Sequence, residues 1–195
     1  QITKLKQNYN KEMTLTIYIL STKKVKFNFG PDSTIDSFVI GSNSQIIYDN
    51  VFSACNLIKQ IEIPSSVTYI GSGVFKDCKS LEHITIPSSV TFIGSSAFDG
   101  CSSLKEIEIP SSLATIESSI FNGCSSLEII KIPNLVTSIG SNAFKDCTSL
   151  KHIEISTNIS VIGSGAFSGC SLLEHISLPS SLTSIGQNIF KDIRY

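Results

Sequence analysis

A cysteine recurs every 23 residues in this chain, at Cys55, Cys78, Cys101, Cys124, Cys147 and Cys170. A phenylalanine keeps the same step, from Phe52 through Phe75, Phe98, Phe121, Phe144 and Phe167 to Phe190. Units of this size cannot bury their own apolar side chains, so a strict period in two core-forming residue types means that they stack and share one core. The question of domain count becomes one of rung count, and 195 residues hold about seven to eight rungs.

The unit is C-x-S-L-x-x-I-x-I-P-S-S-V-T-x-I-G-S-x-A-F-x-x, running through residues 58–80, 81–103, 104–126, 127–149, 150–172 and 173–195. Residues 35–57 are a worn copy, in which Gly41 replaces the proline and Tyr48 the glycine. Residues 1–34, with "LTI" at 15–17 and Phe29 in phase, are expected to be an N-terminal cap or degenerate first rung, because an open core must be closed at its ends. Within a unit, "LEHITIP" alternates apolar and polar residues and predicts a short half-buried strand that puts Ile84 and Ile86 inward and His83 and Thr85 outward. Proline, lacking an N–H, ends the strand. "VTFIG" predicts a second extended piece that stops at Gly94, where a missing Cβ permits positive φ. Glu117 holds that glycine position in one rung, which should turn differently or carry strain. "SSAFDGC" is expected to return the chain as a short helical or 3₁₀ turn. Strand-spaced rungs about 4.8 Å apart would make a rod or shallow arc on the order of 35 Å long.

Over residues 35–195 the unit resembles the 23-residue, treponemal-type leucine-rich repeat of BspA-like proteins. The likeness is carried by "LEHITIPSSVTFIGSSAFDGC", by "LKHIEIS" with Ser156 in the proline position, and by "LLEHISLPSSLTSIGQNIF". It implies a curved leucine-rich-repeat solenoid, with short parallel strands on the concave face and few or only short 3₁₀ helices. It further implies a role in binding or adhesion, as in surface antigens, and brings no catalytic residues with it.

Several other classes are excluded or disfavoured by the sequence itself. A formal net charge of −1 and the absence of long Lys/Arg runs speak against nucleic acid as a partner. The longest apolar runs, such as "IYIL" at 17–20, are too short to cross a bilayer. The first residues lack the apolar segment and cleavage site of a signal peptide; with Gln1 first and Met13 the sole methionine, the chain reads as a fragment or processed product. "GSGAFSG" at 163–169 has neither a Walker lysine nor dinucleotide-loop spacing, and no serine sits in a G-x-S-x-G elbow, so no enzyme, cofactor or catalytic residue is expected. The cysteines have no C-x-x-C pairing for a structural metal. They read either as small buried hydrophobes beside the phenylalanine column or as disulfides between neighbouring rungs, for which parallel side chains are poorly aimed.

Binding chemistry belongs where exposed columns vary. One column alternates strictly in sign, Lys59, Glu82, Lys105, Glu128, Lys151, Glu174, and reads as a surface ion ladder or as a site for a charged partner. On the exposed strand face, Gln60, His83, Glu106, Ile129, His152 and His175 run beside Glu62, Thr85, Glu108, Lys131, Glu154 and Ser177. His83, Glu106, Glu108, Ile129, Lys131, His152, Glu154 and His175 are the candidates there for holding a protein, a glycan or another cell-surface component. His152, His175 and Glu154 also form a conceivable weak divalent-metal set. On the opposite flank, Ile46, Tyr69 and Phe92 form a contiguous apolar patch, which is either a contact site or the seat of the N-terminal cap. A cell-surface or secreted location is expected, with a cytoplasmic scaffold as the alternative. The sequon Asn158-Ile159-Ser160 would report the secretory route if glycosylated.

Overall fold

The computed structural model describes Tyr18–Ile19 and residues 39–193. Its strands are short. In chain order they are β1 (Tyr18–Ile19), β2 (Val39–Ile40), β3 (Ile46–Ile47), β4 (Gln60–Glu62), β5 (Tyr69–Ile70), β6 (His83–Thr85) and β7 (Phe92–Ile93). There follow β8 (Thr115–Ile116), β9 (Ile129–Lys131), β10 (Ser138–Ile139), β11 (His152–Glu154), β12 (Val161–Ile162) and β13 (Ser184–Ile185). Every pairing is parallel, and Gln60 opposite His83, Tyr69 opposite Phe92 and Ser138 opposite Val161 all keep the repeat step. The chain is thus a parallel-strand solenoid. Residues 1–34, where the cap is expected, lie outside the described residues except for β1. There Tyr18 pairs with Val39, two residues short of the repeat step, so the alignment that put "LTI" in phase is corrected by two.

Each three-residue strand β4, β6, β9 and β11 has its central isoleucine buried and its flanking residues exposed, as the alternation requires. The two-residue strands make a second ladder on the flank, in two stacks: β3-β5-β7 and β8-β10-β12-β13. A third backbone ladder closes the turn side with its hydrogen bonds reversed. There the earlier rung donates to the later, as from Phe75 N–H to Ala97 O at 2.8 Å and from Phe98 N–H to Ile120 O at 2.9 Å.

The turn side differs from the expected helical segment. No helix occurs among the described residues; the chain returns through separate turns, such as Cys78 N–H to Phe75 O at 3.0 Å and Leu81 N–H to Cys78 O at 3.1 Å. Two left-handed residues per rung prevent a helix from propagating. One column is Asn50, Gly73, Ser96, Ser119, Asn142, Gly165 and Asn188, and the other Ala54, Asp77, Gly100, Gly123, Asp146, Gly169 and Asp192, all with positive φ. Asn, Asp and Gly tolerate this conformation best, and they supply most of both columns.

The glycine after the flank strand has a different purpose from the one expected. Gly94 and Gly140 do not have positive φ. A Cβ on Gly94 would stand 2.5 Å from Ser72 N, and one on Gly140 2.5 Å from Ser118 N. The missing side chain therefore allows close approach of rungs, not an unusual dihedral. That approach brings Gly94 N–H to Ile70 O at 2.8 Å and Gly140 N–H to Ile116 O at 2.7 Å.

Between these ladders lies one continuous core. The phenylalanine rings stack with centroids 5.5 Å apart from Phe52 to Phe75, 5.4 Å from Phe75 to Phe98 and 5.5 Å from Phe98 to Phe121, and continue to Phe190. All six cysteines are buried and free. They are more than hydrophobic filler: the Cys78 thiol donates to Phe52 O at 3.0 Å, Cys101 to Phe75 O at 3.1 Å and Cys124 to Phe98 O at 3.2 Å. The same phenylalanine carbonyls accept their own turn's cysteine amide, so each thiol supplies a second donor to a buried oxygen.

Candidate functional site

The strand face presents its exposed columns in register. His83 lies over Gln60 and His152 over Ile129, and a parallel bridge joins His152 to His175. The sequence-derived candidates are therefore brought together as columns. Ile129, in the middle of the histidine column, is 61% exposed. Glu106 and Glu108 are exposed on the same face, but their segment makes no strand pairing.

Charges on this face pair across rungs. Lys131 Nζ lies 3.0 Å from Glu154 Oε2 and Lys151 Nζ 3.0 Å from Glu128 Oε2. Lys105 reaches Glu82 at 3.8 Å, and His83 Nδ1 stands 3.8 Å from Glu106 Oε1. The alternating column thus closes as separate pairs, Glu82 with Lys105 and Glu128 with Lys151, and not as a continuous ladder. A lysine ammonium set between two carboxylates turns toward one of them, and water solvates the rest. The histidines do not assemble a metal set. Glu154 is engaged by Lys131, His175 Nε2 lies 3.2 Å from Ser177 Oγ, and no group of three potential ligands comes together among the described residues.

On the flank, register places Ile46 beside Tyr69 and Tyr69 beside Phe92. The two rings stack with centroids 4.8 Å apart, and Ile46 and Tyr69 are 43% and 39% exposed. Beyond Phe92 the column continues as Thr115, Ser138, Val161 and Ser184, so the aromatic surface ends there. Other exposed apolar residues escaped the sequence reading: Leu57 and Leu172 bracket a column that is serine from Ser80 to Ser149, and Leu135 stands in one that is mostly serine. A leucine in a serine column was the available signal. A cavity of about 470 Å³ lies at the last described rung, lined by Leu172, Leu173, Ile176, Phe190 and Ile193 with Lys151, Glu174 and His175.

The cysteine column offers little nucleophilic chemistry. Burial pushes the Cys55 thiol up to about 11 and the Cys78 and Cys170 thiols up to about 12. It raises Cys101, Cys124 and Cys147 well above the ordinary range. The thiolate is the reactive form, and these sites suppress it.

No helix among the described residues is long and apolar enough to cross a membrane. The family model of the BspA type leucine rich repeat region matches in six copies, over residues 23–137 and 70–195. No curated protein matches the chain. Among solved structures, a leucine-rich repeat protein from Bacteroides ovatus is 39% identical, with a TM-score of 0.72 over 75% of this chain and 38% of its own. A leucine rich cell surface protein from Faecalibacterium prausnitzii is 35% identical, with a TM-score of 0.71 over 76% of this chain and 40% of its own. The leucine rich repeat protein of T. pallidum is 34% identical, with a TM-score of 0.69 over 72% of this chain and 66% of its own. The chain thus spans about two-fifths of the length of the first two. With the repeat, the buried columns and these matches agreeing, the chain belongs to the BspA-type leucine-rich repeat family.

Proposed function

We propose that the chain is a non-enzymatic binding module of a surface-exposed, adhesin-like protein, and that it holds a protein or glycan partner on its strand face. The observation that carries this reading is the stacking of exposed, chemically varied columns on a repeating backbone. His83, Glu106, Glu108, Ile129, Lys131, His152, Glu154 and His175 all project from one face, while the residues beneath them are fixed by the core. Variation on a scaffold whose inward positions are constrained is how repeat proteins present a recognition surface. The Faecalibacterium prausnitzii relative, described as a cell surface protein, supports an extracellular setting.

A second reading rests on the Tyr69–Phe92 stack with Ile46. An exposed apolar patch of this kind also suits an intracellular scaffold that docks a larger assembly by its flank. Pull-down from the native cell decides between the two. Combined alanine substitution of Glu106, Glu108, Lys131, His152 and Glu154 abolishes capture if the strand face binds, whereas Tyr69→Ser with Phe92→Ser abolishes it if the flank does. Partner retention by both variants would eliminate both surfaces.

A further inference from the structure

The flank ladder fails at one step among the described residues, between β7 and β8, and the failure coincides with the one rung that carries Glu117 in the glycine column. We propose that Glu117 makes this step a built-in hinge, at which the strand-bearing sides of the solenoid part while the turn side stays closed.

The cause is steric and can be read from the neighbouring rungs. A Cβ at this column points back at the preceding rung: it would stand 2.4 Å from Ser141 N if placed on Gly163 and 2.2 Å from Ser164 N if placed on Gly186. No backbone tolerates such distances, so a residue with a Cβ must move its strand away from the rung before it. Gly71, Gly94, Gly140, Gly163 and Gly186 each donate their amide to the preceding rung at 2.7 to 2.8 Å, but the Glu117 amide makes no such bond to Ile93 O. Nor does the Ala114 amide reach Thr91 O, although Thr91, Thr137, Ser160 and Thr183 each make the equivalent bond. Alanine also lacks the hydroxyl with which Thr91 and Thr183 reinforce that position. The Glu117 carboxylate folds back onto its own strand and accepts from Thr115 Oγ1 at 2.9 Å, so no ligand across the gap takes the place of the lost bonds.

The opening is one-sided. On the strand face, residues 106–108 of the same rung pair with neither neighbour, so that β4–β6 and β9–β11 form separate sheets with this rung between them. On the turn side, Ser96 N–H to Ser118 O at 3.0 Å, Phe98 N–H to Ile120 O at 2.9 Å and Gly100 N–H to Asn122 O at 2.8 Å cross the seam intact. The Phe98 and Phe121 rings stack across it at 5.5 Å. The strand-bearing sides keep only scattered contacts across the seam: a long Lys105 N–H to Glu82 O bond of 3.5 Å, the Ser112 hydroxyl on Val90 O, and the exposed Glu82–Lys105 and His83–Glu106 pairs at 3.8 Å. The step therefore bends about the turn side, where the ladder is continuous. Motion there changes the spacing between His83 and Ile129, with Glu106 and Glu108 between them on the seam.

Residue-resolved amide exchange of the full chain tests the hinge. The expected result is that the Ala114 and Glu117 amides exchange at least tenfold faster than the Gly94 and Gly140 amides, while Ser96, Phe98 and Gly100 stay protected. Glu117→Gly should bring position 117 to the protection of the other glycines. Glu117→Ala should leave it fast, because the Cβ and not the charge holds the rungs apart. Equal protection of positions 94, 117 and 140 in the unmodified protein overturns the proposal. So does an alanine variant as protected as the glycine variant, or loss of protection at Phe98 in step with position 117.

Discussion

The turn side and the strand-bearing sides of this solenoid are built on the same step and behave differently. The turn side carries phenylalanine and cysteine at nearly every rung, two left-handed positions per rung and a backbone ladder that crosses the 81–103 to 104–126 boundary unbroken. The strand-bearing sides lose their pairing at that boundary and carry most of the variation, from Ile129 and Lys131 on one face to Tyr69 and Thr115 on the flank. The difference teaches that continuity of the fold is vested in one side, which leaves the others free to change. On that view, perturbing the turn side should unfold the array and perturbing the strand sides should not.

The largest effect should come from alkali, which attacks the turn side through its thiols. Burial raises the folded-state pKa of each thiol from an ordinary 9.0, to about 11 for Cys55 and about 12 for Cys78 and Cys170. The unfolded chain therefore ionises first as pH rises. The folded state then binds more protons than the unfolded one, and stability falls by about 1.4 kcal/mol per pH unit for each such thiol. This contribution is intact below pH 9 and is lost progressively between about 9 and 12. Burial shifts Cys101, Cys124 and Cys147 in the same direction, so the whole column works against the folded state as pH rises. Denaturant titrations followed by circular dichroism should show stability falling as pH is raised from about 9 towards 12. A stability that does not change between about pH 9 and 11 would mean that the thiols are not buried as donors. Phe98→Ala comes next. Its ring is fully buried between Phe75 and Phe121, so the cavity interrupts a continuous stack and should cost about 3–5 kcal/mol in denaturant titrations. A loss under about 1 kcal/mol would show that the column collapses around the gap.

Much of this division was legible beforehand. Inward and outward positions followed from alternation in segments such as "LEHITIP", and the phenylalanine and cysteine columns followed from period alone. Both describe side chains that repeat in sequence because they repeat in space. The register that unites His83, Ile129 and His152 on one face was legible for the same reason. What the sequence did not convey were relations between backbones. A column reading Asn50, Gly73, Ser96 and Ser119 looks like an ordinary polar turn until its φ values are seen. The glycine column looked like a dihedral requirement when it is a clearance of one rung from the next. The cysteine's hydrogen bond was likewise hidden, because its acceptor is a carbonyl 26 residues earlier.

That clearance sharpens the comparison with a smaller effect. Gly140→Ala places a Cβ 2.5 Å from Ser118 N, against backbone that cannot give way without losing the Gly140 to Ile116 hydrogen bond. A cost of about 1–3 kcal/mol is expected, the range for overpacking at a closed contact. A second break in the flank ladder should appear, read as fast exchange of the amide at position 140. Because Glu117 already occupies the same column in a folded rung, the substitution should weaken the array without abolishing it. Complete unfolding would mean that the turn side does not carry continuity by itself.

The smallest effect is expected on the strand face, where it tests the other half of the comparison. Lys131 and Glu154 lie 3.0 Å apart, but both side chains are more than 70% exposed. Water screens their attraction, and ordering two long side chains offsets much of it. Lys131→Ala should therefore shift stability by less than about 0.5 kcal/mol, as exposed polar substitutions generally do. The double variant with Glu154→Ala should match the sum of the single changes to within a few tenths of a kcal/mol. If the face serves a partner, the same substitutions weaken capture and flatten its dependence on salt, since exposed charges act through a screened field. A coupling above about 1 kcal/mol between Lys131 and Glu154 would instead make the strand face a structural element, and continuity would no longer belong to the turn side alone.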